Sequence, residues 1–165
     1  MGINKQALKL LLAEHSYKPI IGDYVSIGKQ TVQLPINEIA KHFQEYGISV
    51  DQLNLLKETG RSDTSTRAAG RELGGVFDHD MIASFSDANY VCLDRSTYEG
   101  ADIIHDMNAP LPVELVGKYD FIYNGSCMDN VFDPVSFIRN TSKMLKIGGR
   151  LLMTEACGPN PGSRF

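Results

Sequence analysis

Residues 118–134 read KYDFIYNGSCMDNVFDP, and the first half of this stretch decides the fold. Phe121-Ile122-Tyr123 is an apolar run that stops abruptly at Asn124-Gly125-Ser126, after which a second run has the character of a helix start. A short apolar run without alternation is what a strand buried on both faces requires, and such strands belong to parallel sheets covered by helices. In open sheets of that kind ligands sit beyond the carboxyl ends of the strands. Asn124, Gly125 and Ser126 are therefore candidate ligand contacts.

Working outward, residues 133–149 are expected to form a helix. Asp133 can cap it, Pro134 suits its first position and Gly148-Gly149 stop it. Residues 150–156 follow as a strand. On the amino-terminal side, strands are expected over 88–96 (ANYVCLDRS), 101–108 (ADIIHDMN) and 19–32, the last ending at Gly28. Apolar residues at helical spacing place helices over 3–15 and 34–48. Shorter helices are expected over 51–58 and 76–85, and the polar, glycine-bearing stretch 59–75 reads as a loop. The order predicts an α/β, three-layer domain with a mostly parallel sheet of about five strands. Its first strand, 22–28, should lie centrally, between the strands at 89–94 and 119–124. The chain reads as one domain over 1–165, with its core in 17–156.

The chain has 165 residues, of which 42% are hydrophobic and 22% charged, with a net charge of −4. That balance is ordinary for a soluble globular protein and speaks against a dedicated nucleic-acid binder, which would carry a basic face. No apolar run approaches the ~20 residues that span a membrane. Residues 1–18 lack a cleavage site for a secretory signal. A cytoplasmic location is expected, with no nucleic-acid or membrane partner. The three cysteines, Cys92, Cys127 and Cys157, are odd in number and widely spaced, so they read as reduced thiols with no metal role.

The chemistry gathers at strand ends. Gly28, Asp94, Asp106 and the Asn124-Gly125-Ser126 cluster come to one edge of a parallel sheet, with Arg95 and Met107 beside the two acids. A carboxylate at a strand end can accept both hydroxyls of a ribose, which suits Asp94. Asp106 can receive the exocyclic amine of a base, and Gly28 lets a ligand approach the backbone closely. His105 stands next to Asp106, but neighbours on a strand point to opposite faces, which argues against a catalytic pair. His15, His42 and His79 read as surface residues, and Phe132 and Phe137 as core.

These segments resemble class I S-adenosylmethionine-dependent methyltransferases. YDFIYNGS, MDNVFDP and MLKIGGRLL are similar to the family's fourth strand, polar turn and following helix with fifth strand, and DRSTYEGADIIHDMNAPLP is similar to its second and third strands. The likeness is strong over 88–156 and weaker over 19–87. It implies a Rossmann-like fold, S-adenosyl-L-methionine as cofactor, and methyl transfer to a small-molecule acceptor. Cofactor contacts would come from Gly28, Asp94, Arg95, Asp106, Met107, Asn124, Gly125 and Ser126. The family's glycine-rich first motif is reduced here to VSIGKQTV, where Lys29 and Gln30 replace glycines. Asn130 and Ile147 also replace the family's usual His and Pro. The family's final antiparallel strands have no counterpart before Phe165, so the chain reads as C-terminally truncated. Its exposed sheet edge is then expected to pair with a second copy. The alternative is a non-catalytic or truncated domain of this fold that serves as a binding or partner subunit.

Overall fold

A computed structural model describes residues 2–50 and 76–155. Five strands form its main sheet: β2 (Asp23–Ile27), β5 (Asn89–Asp94), β6 (Ile103–Ile104), β7 (Tyr119–Gly125) and β8 (Leu145–Thr154). Their spatial order is β6-β5-β2-β7-β8, and every neighbouring pair is parallel. Numbered along this sheet alone, the order is 3-2-1-4-5, which is the Rossmann-like doubly wound arrangement. The strand at 23–27 is central, between those at 89–94 and 119–125, as the sequence predicts.

The sheet is buried on both faces because its apolar runs do not alternate with polar residues. Tyr24, Phe121 and Tyr123 enter one core with the buried leucines Leu8, Leu11 and Leu12 of α1 (Lys5–Tyr17). Ile39 and Phe43 of α2 (Ile36–Glu45) and Met81 and Ile82 of α3 (Asp78–Ala83) join them. Val25, Ile27, Leu93 and Ile122 point the other way, into a core closed by Phe137 and Met144 of α4 (Pro134–Met144). On the first face, residues paired in register stack across the strands. Tyr24 lies 5.4 Å from Tyr90 and 5.5 Å from Phe121, and the Arg150 guanidinium covers Phe121 at 5.2 Å. Aromatic pairs of this kind add to the stabilisation from burial alone.

The remaining strands are short. β1 (Gly2–Ile3), β3 (Thr31–Val32) and β4 (Val76–Phe77) form a separate sheet of order β1-β3-β4. The apolar stretch 19–32 is therefore two strands, because Gly28 adopts φ +74° and turns the chain out of the main sheet. Val76–Phe77 pair with β3 rather than opening the helix, so α3 starts at Asp78. Only Ile103–Ile104 of the stretch 101–108 pair as a strand.

α4 is capped as its sequence predicts, with the Asp133 carboxylate accepting from Val135 N and Ser136 N. It ends at Met144, ahead of the two glycines. Leu145 leaves the helix at ψ 137°, and Lys146 reaches Asp23 and Asp120 at 2.8 and 2.7 Å. Two corrections concern burial. His42 is buried in α2, with Nδ1 2.8 Å from Glu45, whereas Phe132 is 98% exposed because it precedes the helix instead of lying on its inner face. The expected helix 51–58, the loop 59–75 and Cys157 lie outside the described residues. Among the described residues no helix is long and apolar enough to cross a membrane.

The amino ends of β2 and β7 are fastened by Asp120. Its carboxylate accepts from Asp23 N at 2.8 Å and from Lys146, and the Lys146 bond holds its pKa below the usual carboxylate value. Gly22 makes this possible: its φ is +80°, and a Cβ there would stand 2.3 Å from Asp120 Oδ2. Gly22→Ala is expected to cost about 1–2 kcal/mol, since an L-residue is strained in the left-handed region. It should also push the Asp120 carboxylate off Asp23 N. Urea unfolding measures the loss, and an unchanged midpoint would contradict this role for Gly22.

Candidate functional site

A cleft of about 300 Å³ opens at the carboxyl ends of β2, β5 and β6 and beside the turn that follows β7. That is the lower end of the range for small-molecule sites. Ile27 and Gly28 come to it from β2, Leu93 and Asp94 from β5, and His105–Asn108 from the segment after β6. Cys127, Asn130 and Val131 follow β7, and Phe137 closes the floor from α4.

Each polar group is set by its own loop. Asp94 Oδ1 accepts from Ser96 N at 3.1 Å, while Oδ2 makes no hydrogen bond among the described residues. Oδ2 faces the Gly28 turn, 4.0 Å from where a Cβ on Gly28 would be. Asp106 Oδ1 accepts from both Asn108 N and Asn108 Nδ2, at 2.9 and 2.7 Å, which holds its carboxyl below the usual range. Arg95 is largely exposed at the rim, its Nε 4.0 Å from Asp106 Oδ2. The wall formed by residues 107–109 is pinned by α4. Asn140 Nδ2 donates to Met107 O and Ala109 O, and Asn108 Oδ1 accepts from Asp133 N.

Gly28 is required where the two sides meet. Its φ is +74°, and a Cβ would lie 2.4 Å from Cys127 Sγ. The Cys127 thiol donates to Ile27 O at 2.9 Å, and burial pushes its pKa up to about 12. It is a neutral thiol that packs the cleft, without the thiolate character a nucleophile needs. The Cys92 thiol is likewise pushed up to about 12 by burial.

Of the eight expected contacts, the structure brings five to this cleft: Gly28, Asp94, Arg95, Asp106 and Met107. Asn124, Gly125 and Ser126 are not part of its lining. Asn124 is fully buried, its Oδ1 accepting from Cys127 N at 3.0 Å and its Nδ2 donating to Glu155 Oε1. Ser126 adopts φ 60° and its Oγ donates to Thr154 O. These residues shape the turn that delivers Cys127 and Asn130.

His105 also lines the cleft, and its Nε2 is buried without a partner among the described residues. β6 ends at Ile104, so the two-face rule for strand neighbours does not govern His105 and Asp106, and both reach the same cleft. No hydrogen bond joins them. The strand expected over 101–108 ends at Ile104, four residues sooner, and that early end is what places His105 here. Asn130, Val131 and Phe137 had no such signal, since their arrival depends on the turn after β7.

On the other face of β5, Asp78 is buried (1% exposed). Its Oδ2 accepts from Tyr90 OH, Ser26 Oγ and Gln30 N at 2.7, 3.1 and 3.3 Å, and its Oδ1 from His79 N. Burial raises its pKa to about 6 despite these four donors. The Tyr90 phenol is pushed far up by burial, with Asp78 beside it, so Tyr90 is the donor. Among the described residues no group of histidines, cysteines and acids could hold a metal ion.

Fold and site together define a Rossmann-like α/β domain with a cleft of about 300 Å³ on the carboxyl edge of its sheet. No protein-family model matches the chain, and no curated protein matches it. Among solved structures it is similar to the citrinin polyketide synthase CMeT domain, with 14% identity and a TM-score of 0.44. The match covers 90% of this chain and 33% of that one, so the chain spans about a third of the length of that protein.

Proposed function

We infer that the cleft holds the adenosyl part of S-adenosylmethionine and that the domain takes part in methyl transfer to a small-molecule acceptor. The observation that carries this reading is Asp94. Its carboxylate stands at the end of the strand next to the central one, with Oδ2 unbonded among the described residues and facing a glycine turn. That is the geometry in which an acid accepts ribose hydroxyls. The sequence likeness over 88–156 supports the choice of cofactor.

The residues fit the nucleoside end of that group. Asp94 would hold the ribose. Asp106, with Oδ2 turned toward Arg95, can accept from an exocyclic amine, and Leu93, Met107, Val131 and Phe137 supply an apolar bed for a base. When bound, S-adenosylmethionine supplies a methyl group on a sulfonium, which is already a good leaving group. The chain's part is then to bind, to orient and to keep water from the reacting face, which can lower the barrier without a side-chain nucleophile. The neutral Cys127 thiol is consistent with that division of labour.

A second reading, a binding domain without methyl transfer, is favoured by one observation. Gln30, where the family has glycine, is 1% exposed and its amide lies against Gly125.

The test is calorimetric titration with S-adenosylhomocysteine and with adenosine. At a ligand concentration about 100 times the dissociation constant, binding should add about 2.7 kcal/mol to stability, seen as a rise in Tm. No heat from either ligand at millimolar concentration would remove the adenosyl reading. Binding without turnover across a panel of labelled-methyl acceptors would favour the second.

A further inference from the structure

In doubly wound sheets the ligand crevice opens at the point where the strand order reverses. Here that point lies between β2 and β7, and it is filled from within. Gln30 follows the β2 turn, and its carboxamide lies over the end of β7. A Cβ built on Gly125 would meet Gln30 Oε1 at 2.6 Å and Cδ at 2.8 Å. A Cβ built on Gly28 would have Cys127 Sγ at 2.4 Å, Gln30 Nε2 at 3.5 Å and Asp94 Oδ2 at 4.0 Å. The Asp94 carboxylate, which lines the open cleft, the Cys127 thiol and the Gln30 amide thus converge on one glycine. A ligand held by Asp94 that extends over Gly28 toward β7 meets Cys127 Sγ, which lines the cleft, and the buried Gln30 amide bonded to it.

The amide is weakly anchored. Nε2 donates to Gly28 O at 3.3 Å and to Cys127 Sγ at 3.9 Å, both long. Oε1 is buried with no partner among the described residues. An unsatisfied buried acceptor is costly, so rotation of the side chain toward solvent, or toward a ligand donor, relieves a penalty while breaking little. Gln30 N is held separately by Asp78, so the backbone need not follow.

We propose that the Gln30 carboxamide closes the β7 side of the cleft and sets its selectivity. Adenosine-type nucleosides enter as the site stands, whereas ligands with a long substituent at the 5′ carbon must first displace the amide. This rests on the adenosyl reading above and adds the residue that decides how much of the cofactor is welcomed.

The test is calorimetry with adenosine, 5′-deoxy-5′-methylthioadenosine and S-adenosylhomocysteine on the parent, Gln30→Ala and Gln30→Met. The parent should bind the first two better than S-adenosylhomocysteine. Gln30→Ala should tighten S-adenosylhomocysteine at least tenfold and change adenosine less than twofold. Gln30→Met keeps the bulk without the amide and should retain the parent's preference. A parent that binds S-adenosylhomocysteine tenfold more tightly than adenosine overturns the closure, as does a preference unmoved by Gln30→Ala. Weaker S-adenosylhomocysteine binding by Gln30→Ala also overturns it, making the amide a ligand contact instead. In each of those outcomes adenosine still binds, so the adenosyl reading stands. Failure of adenosine to bind the parent removes that reading and this closure with it.

Discussion

Asp78→Ala should lower the unfolding free energy by about 4 kcal/mol near pH 4.5, with a gap that narrows as the pH rises. Three donors converge on one carboxylate oxygen: Tyr90 OH, Ser26 Oγ and Gln30 N. Removing the acceptor leaves buried donors unsatisfied, at about 1–3 kcal/mol each where no water can enter. The narrowing follows from the carboxyl's pKa of about 6 in the folded chain, raised by burial from an ordinary value of 3.8. A raised pKa means that the folded state holds the proton more tightly than the unfolded state. That stabilisation is complete below about pH 4 and is lost as the pH climbs through 6. Two units correspond to about 3 kcal/mol. The parent should therefore lose stability relative to Asp78→Ala between pH 4 and 7. Urea unfolding of both proteins across that window decides the matter, and a gap that widened with pH would contradict a carboxyl held neutral by burial. The consequence reaches the cleft, because Asp78 fixes Gln30 N and, through Ser26, the chain just ahead of Gly28.

Asp94→Ala should weaken adenosine or S-adenosylhomocysteine binding tenfold to a hundredfold and leave the fold intact. A hydrogen bond to a charged group is worth about 1.5–3 kcal/mol, and 1.4 kcal/mol is one decade of affinity. Among the described residues the Asp94 carboxylate accepts one hydrogen bond, from Ser96 N on an exposed turn, so truncating the side chain removes little stability. Asp94→Asn keeps one acceptor oxygen and should lose less. Asp129→Ala is the control, since Asp129 is exposed on the turn after β7 and is not part of the cleft lining. Titration of the four proteins gives the answer: equal affinity in parent and Asp94→Ala would mean that the ribose lies elsewhere.

The amino-acid sequence by itself determined the main sheet. Tyr24–Ile27, broken only by Ser26, Val91–Leu93 and Phe121–Tyr123 carry apolar residues on both faces, and a strand of that kind has a place only between helical layers. Right-handed crossovers then leave few orders, and β2 falls in the centre. The positions of Gly28, Asp94 and Asp106 follow from the same logic, because parallel strands bring all their carboxyl ends to one edge. Asp133-Pro134 marked the start of α4 through local chemistry that needs no partner.

The tertiary structure alone decided what lies inside the crevice. Thr31–Val32 belong to a second sheet because β1 and β4, distant in sequence, pair with them. α4 stops at Met144, where Leu145 turns to extended backbone and pairs with Tyr119 of β7, and Lys146 then reaches carboxylates on β2 and β7. Asn124, Gly125 and Ser126 look like ligand contacts in the sequence. In the fold, Glu155, Gln30 and Thr154 reach them first. A polar residue at a strand end advertises a hydrogen bond. Whether a ligand or the protein answers depends on groups that arrive from 28 or more residues away, and that information is not local.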